Sequence, residues 1–159
     1  MNEELIKQWN SVVGVDDEVY HLGDVSLGNP TKLTGILNRL NGKIYLIEGN
    51  HEKAVYKKST NVDRFEWIKE KVEIKVDGQL IVLCHYGMRV WNKSHRGAIH
   101  LYGHSHDSME REAWGRSMDV GVDSAARILG EYRPFSFREI NNIMNKREDN
   151  PVDHHVKLR

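Results

Sequence analysis

Four short apolar runs in this chain stop abruptly at loops of glycine, aspartate, asparagine and histidine, and that repetition limits the fold more than any other feature. Val19–Leu22 leads into Gly23-Asp24, and Lys43–Ile47 into Glu48-Gly49-Asn50-His51. Gln79–Cys84 leads into His85, and Ile99–Tyr102 into Gly103-His104-Ser105-His106. Short runs of apolar and β-branched residues bounded by turn formers are strand signals. Helical signals stand between and around them. Glu3–Val13 carries Leu5, Ile6, Trp9 and Val13 at helical spacing, and a second helix opens at Asn29-Pro30 and closes before Gly42. Asn61–Lys71 has Phe65 and Ile68 three apart, which predicts a third helix, and the capping box Ser136 with Glu139 opens a fourth, running to about Asn145. Val72–Val76 and Gln79–Cys84 flank Asp77-Gly78, a hairpin signal, and Ser117–Val122 alternates as a further strand. Strands interleaved with helices predict an α/β class, a scaffold that presents functional groups at its strand ends.

The chain has 159 residues, which predicts one domain over 1–145 followed by a polar, flexible tail over 146–159. Its 23 basic and 23 acidic side chains cancel, which excludes a polycationic binder and disfavours long nucleic acid as a partner. The apolar runs are strand-sized, so no membrane span is predicted, and Met1–Asn10 lacks the apolar core of a signal peptide. Cys84 is the only cysteine; it reads as a small core residue, and the lack of any internal disulfide predicts a cytoplasmic setting.

The strand-end loops collect Asp24, Asn50, His51, His85, His104 and His106, drawn from a chain with nine histidines. Carboxylate, amide oxygen and imidazole together suit a divalent ion such as manganese, iron or zinc, and a single cysteine excludes sites built on two or more thiolates. Gly23, Gly49 and Gly103 each precede one of these residues, the device of a chain that turns sharply where backbones approach closely. Alternation predicts that His104 and His106 point to one side, and that His21 faces away from Asp24. His21, His95 and His100 read as structural or solvated, Asp153–His155 as a solvated tail, and Asp119 and Asp123 as turn or hydrogen-bonding residues.

In their order and spacing, Gly23-Asp24, Gly49-Asn50-His51-Glu52, His85 and Gly103-His104-Ser105-His106 resemble the motifs of calcineurin-like metallophosphoesterases. Asp119-Val120-Gly121-Val122-Asp123 resembles the strand after the last motif, and the stretch from His85 to Trp91 resembles small bacterial and phage-encoded members. The resemblance implies two packed mixed β-sheets flanked by helices, and hydrolysis of phosphate mono- or diesters by water activated between two metal ions about 3.5–4 Å apart. It implies Asp24 as the bridging carboxylate, Asn50, His85 and His104 as further ligands of one metal, and His106 as a ligand of the other. His51 would stabilise phosphate charge or protonate the leaving oxygen. Arg89, Trp91, Lys93 and Arg96, in the loop after His85, are candidate substrate contacts for a phosphorylated small molecule or nucleotide.

The family's first motif, Asp-x-His at the end of its first strand, does not occur before Asp24; the pattern occurs only at Asp153-His154-His155. The expected fold therefore lacks that first strand, a segment of roughly 20–30 residues with its loop. Of manganese, iron, zinc or nickel, the chain is expected to hold one ion well, through Asp24, Asn50, His85 and His104. The second position keeps only Asp24 and His106. Two outcomes are open: a working metal-dependent phosphoesterase, or a truncated, catalytically impaired remnant that binds a metal or a partner. An uncovered sheet edge would favour self-association.

Overall fold

The computed structural model of the chain describes residues 2–25, 29–57, 62–109 and 114–155. Helix α1 (Asn2–Val12) leads into strand β1 (Glu18–His21), and α2 (Pro30–Leu37) into β2 (Lys43–Ile47). Strand β3 (Phe65–Lys69) follows and pairs with β2, giving a parallel sheet in the order β1-β2-β3. The antiparallel hairpin of β4 (Lys71–Val76) and β5 (Gln79–Cys84) then starts a second sheet, completed by β6 (Ile99–Tyr102) and β7 (Ser117–Asp119), both parallel to β5, in the order β4-β5-β6-β7. Helices α3 (Val122–Leu129) and α4 (Phe137–Met144) close the described fold. This is the mixed α/β arrangement of two sheets flanked by helices that the motifs imply.

Local chemistry explains the element ends. Asn29 caps α2 by accepting the Thr31 N–H at 2.8 Å, and Pro30 occupies the first helical position, where its missing N–H costs nothing. Asp77 and Gly78 both have positive φ, 48° and 81°, the pair of left-handed residues that a tight hairpin turn needs. Ser136 and Glu139 form a reciprocal capping box on α4.

Two buried clusters hold the layers together. Leu33 and Leu37 of α2 pack with Ile44, Leu46, Val55 and Phe65 on one face of the first sheet. On its other side, Leu22 and Ile47 join Ile81, Leu83, Ile99, Leu101 and Met118 of the second sheet, with Ile140 and Met144 of α4 behind them. The sheets therefore share one apolar interior, and their strand ends meet beside it. Among the described residues, no helix is long and apolar enough to cross a membrane.

Three local expectations change. The predicted helix over 61–71 is, in its described part, a 3-10 turn at Val62–Arg64 followed by β3. Phe65 is buried against the α2 side, whereas Trp67 lies 5.2 Å from Tyr45 on the opposite face, next to the Tyr20–Tyr45 stack. A β-bulge opposite Ile44 and Tyr45 breaks the alternation between Phe65 and Trp67, so Phe65 and Ile68 pack on the α2 side at a spacing of three within a strand. The strand expected over 117–122 ends at Asp119, because Gly121 caps a helix there that the sequence reading did not contain. Helix α2 stops at Leu37, earlier than Leu40. The described part of the tail also makes contacts with the domain: Arg116 Nε donates to Asp149 Oδ1 at 3.1 Å, and Arg147 donates to the Ser117 carbonyl.

Candidate metal centre and active site

Each strand-end residue emerges where a parallel strand finishes, Asp24 after β1, Asn50 after β2, His85 after β5 and His104 after β6. Donor atoms of Asp24, His85 and His104 all lie within 4.8 Å of one another. His85 is the centre of the group and is almost fully buried. Its Nδ1 sits 2.6 Å from the Leu22 carbonyl, which can only accept, so Nδ1 carries the proton. In the neutral ring Nε2 is then a bare lone pair, and it faces Asn50 Oδ1 at 2.9 Å and Asp24 Oδ2 at 3.5 Å. Three acceptor atoms turned toward one another repel unless something positive lies among them. The donor set therefore fits a divalent cation, and its mixture of carboxylate, amide and imidazole is that of a catalytic rather than a thiolate structural site.

Backbone geometry makes the convergence achievable. A Cβ on Gly49 would press on the Asp24 carboxylate and lie 2.5 Å from Asp24 N, while one on Gly23 would fall on the His85 ring and lie 2.8 Å from Gly49 Cα. No side chain fits at either point. Asp24, His104 and His106 all have positive φ, 55°, 61° and 47°, a region that non-glycine residues occupy at a cost and mostly where surrounding structure enforces it.

Two carboxylates outside the candidate ligand set enforce it here. Glu52 is buried, and its Oε1 accepts N–H bonds from Gly49 at 3.3 Å and Val25 at 3.4 Å, tying the β2 loop to the β1 loop. Burial pushes its carboxyl above the usual value, against the pull of those N–H groups. Asp24 Oδ1 adds a third tie by accepting the His51 N–H at 2.8 Å. Asp119, buried at the end of β7, accepts from Ser105 Oγ at 2.5 Å, from the Asp107 N–H at 3.1 Å and from the Gly121 N–H at 2.7 Å. It thereby shapes the loop that carries His104. Asp107 extends the anchor, bound by Ser124 and Arg127 of α3, and the Arg127 guanidinium holds its carboxyl below the usual value. The sequence signal for Glu52 was its place directly after Gly49-Asn50-His51; Asp119 was legible as a hydrogen-bonding residue opening the Asp119-Val120-Gly121-Val122-Asp123 stretch, and it is one.

His106 does not join the three-residue cluster. Its ring is exposed and pairs through Nδ1 with Asp123 Oδ2 at 2.8 Å. The chain has left strand geometry by Gly103, and His104 and His106 both take left-handed φ, so strand alternation no longer governs where the two rings point. The same reason changes the expectation for His21. Gly23 and Asp24 turn the chain after β1, and His21 lies close enough to Asp24 and His85 to feel both, with burial pushing its imidazole down to about 4. Its Nδ1 is shut off from solvent without a hydrogen-bond partner among the described residues. His100 is a buried structural residue, with Nδ1 3.0 Å from the Val82 carbonyl and Nε2 accepting the Met88 N–H at 3.0 Å.

Around the cluster, His51 is exposed at the mouth, and Tyr86, half-exposed, sets its ring 4.8 Å from His104 and 4.9 Å from His85. Tyr86 was not among the candidates, since a tyrosine beside a histidine carries no spacing signal. Of the expected substrate contacts, Arg89 lies over the Trp114 ring at 4.1 Å. Trp91 is mostly buried, donating its indole N–H to the Ala98 carbonyl at 2.9 Å and packing around Val82 at the wall of a cleft. Lys93 lines a separate cleft with His95, and Arg96 ends the 3-10 turn Ser94–Arg96 beside it.

Residues 2–120 match the model of the calcineurin-like phosphoesterase superfamily domain. An uncharacterized protein of Methanocaldococcus jannaschii is 49% identical over 150 residues, covering 92% of this chain and 76% of the relative. The Gene 66 protein of Mycobacterium phage D29 is 27% identical over 148 residues, covering 76% of this chain and 74% of its own. Among solved structures, a protein of unknown function from Aquifex aeolicus superposes with a TM-score of 0.65 at 21% identity, covering 89% of this chain and 84% of its own, a likeness of fold.

Proposed function

Because the chain belongs to the calcineurin-like phosphoesterase superfamily, we propose that it is a metal-dependent phosphoesterase acting on a phosphate mono- or diester of a small molecule or nucleotide. The observation that carries this reading is the inward-facing trio of acceptors, His85 Nε2, Asn50 Oδ1 and Asp24 Oδ2, with His104 beside them. These four residues would hold a divalent cation, manganese in the first instance. When bound, such an ion supplies Lewis acidity toward phosphoryl oxygens and lowers the pKa of water into the working range.

The chain's own groups supply the rest. Leu22 O fixes the His85 tautomer so that Nε2 keeps its lone pair. Glu52 and Asp119 hold the loops in register without touching substrate. His51, anchored through its backbone to Asp24 yet open to solvent, is positioned to meet the phosphate and to give a proton to the leaving oxygen. A second ion would draw on Asp24 and on His106 once His106 parts from Asp123.

A second reading rests on that last point. With His106 engaged by Asp123 and outside the cluster, the chain could bind one ion and turn over little. Hydrolysis of bis-p-nitrophenyl phosphate and p-nitrophenyl phosphate, with and without added manganese, separates the two. Manganese-dependent turnover that disappears in His85→Asn supports the esterase. Turnover unchanged by that substitution sinks it, and manganese binding without turnover favours the remnant.

A further inference from the structure

A second group of potential ligands lies in the C-terminal segment. Asp153, His154 and His155 present donor atoms that all fall within 4.8 Å of one another, and the group shares no residue with the strand-end cluster. The segment is shaped locally. Asp153 Oδ1 accepts the His155 N–H at 3.1 Å, an Asx turn that fixes the carboxylate beside the His155 backbone. The His154 and His155 rings are 3.8 Å apart, and His95 stacks on His155 at 3.6 Å with an interplanar angle of 16°. His95, Asp153 and His155 together line a cleft of about 400 Å³ that also includes Lys71, Glu73 and Lys93.

Three imidazoles at van der Waals contact with a carboxylate beside them gather the donor types that a borderline divalent ion accepts. We propose that Asp153, His154 and His155 form a second, independent cation site, selective for an imidazole-preferring divalent ion such as zinc, nickel or copper. Lys71 and Lys93 offset the charge of Glu73 and Asp153, so attraction of bare charge alone does not favour magnesium or calcium there. Directed bonds from two imidazole nitrogens do favour the borderline-soft metals. Occupation would fix the His155 ring, and through its stack on His95 would tie the C-terminal segment to the loop at Ser94–Arg96.

The test is zinc content per chain after gel filtration, on protein made with a tag free of histidine. Wild type is compared with the double variant His154→Ala/His155→Ala and with Asp153→Asn, which keeps an acceptor for the turn. His154 and His155 are exposed, so the metal-free variants should melt as wild type does. The expected result is the loss of one zinc per chain in the double variant, weaker zinc binding in Asp153→Asn, and retention of whatever ion the strand-end cluster holds. Equal zinc content and affinity in wild type and both variants would overturn the site, and so would magnesium competing with zinc on equal terms.

Discussion

Gly49→Ala adds one methyl group at the closest approach between the β1 and β2 loops. The new Cβ would press on Asp24 Oδ1 and lie 2.5 Å from Asp24 N and 3.0 Å from His85 Cε1. Ordinary contact begins near 3.4 Å, so the Asp24 backbone must retreat by roughly 0.9 Å, several times the ~0.2 Å tolerance of a metal site. Overpacking of this kind costs about 1–3 kcal/mol. At ~2–4 °C per kcal/mol for a chain of this size, metal-free Tm should fall by about 2–12 °C. The assay is thermal unfolding with and without manganese, alongside calorimetric titration of the ion. Wild type should gain Tm with manganese, as a ligand of the folded state requires, and Gly49→Ala should lose that gain. Gly35→Ala is the control: Gly35 is exposed on α2 with nothing within 4 Å of an added Cβ, so it should be stabilised by ~0.5–1 kcal/mol and keep the manganese response. A Gly49→Ala protein with the wild-type Tm and the wild-type manganese shift would refute the tight-loop account.

Asp119→Asn replaces a buried acceptor with a donor facing N–H groups; it should cost about 1–3 kcal/mol and weaken manganese binding, and an unchanged urea midpoint and manganese affinity would count against Asp119 as the anchor of the His104 loop. Acid should destabilise the fold through its buried histidines. Burial holds His100 below its usual value and His21 at about 4, so their stabilising contribution is complete above the unfolded value of ~6.5 and declines as pH falls below it. Glu52, raised by burial, acts in the opposite sense, so the urea midpoint is best followed from pH 7.5 to 5 in a Glu52→Gln background; a flat or rising midpoint contradicts the prediction. Ser136→Ala removes one half of the capping box and should cost about 1 kcal/mol, read as a Tm drop of ~2–4 °C with no change in manganese binding; no drop would mean the cap on α4 is redundant.

Much of the architecture was legible because it rests on short-range signals. β2, β5 and β6 appear with the bounds their apolar runs predict, and the Asp77-Gly78 turn and the Ser136 cap behave as their chemistry requires. Glycine followed by a ligand-type residue located Asp24, Asn50 and His104 on the sequence. Placement of the other residues depended on tertiary facts. β3 is a strand because β2 offers it an edge, and Phe65 and Ile68 cannot reveal that edge. His21 departs from expectation because alternation ends where the strand ends, and left-handed φ at Asp24, His104 and His106 re-aims those side chains. Glu52 and Asp119 serve backbone N–H groups from distant loops, a role with no sequence period.

The ligand cluster is divided between two sheets, Asp24 and Asn50 arriving from one, His85 and His104 from the other, with a direct tie from His85 Nδ1 to Leu22 O. An ion seated there would act as a rivet, since the halves could not breathe apart without stretching its bonds. Ion affinity then becomes a gauge of how firmly the layers are pressed together. Loosening the shared interior at Ile47 or Met118, both members of the apolar cluster between the sheets, should register as faster ion loss and as quicker amide exchange in β1 and β6 together.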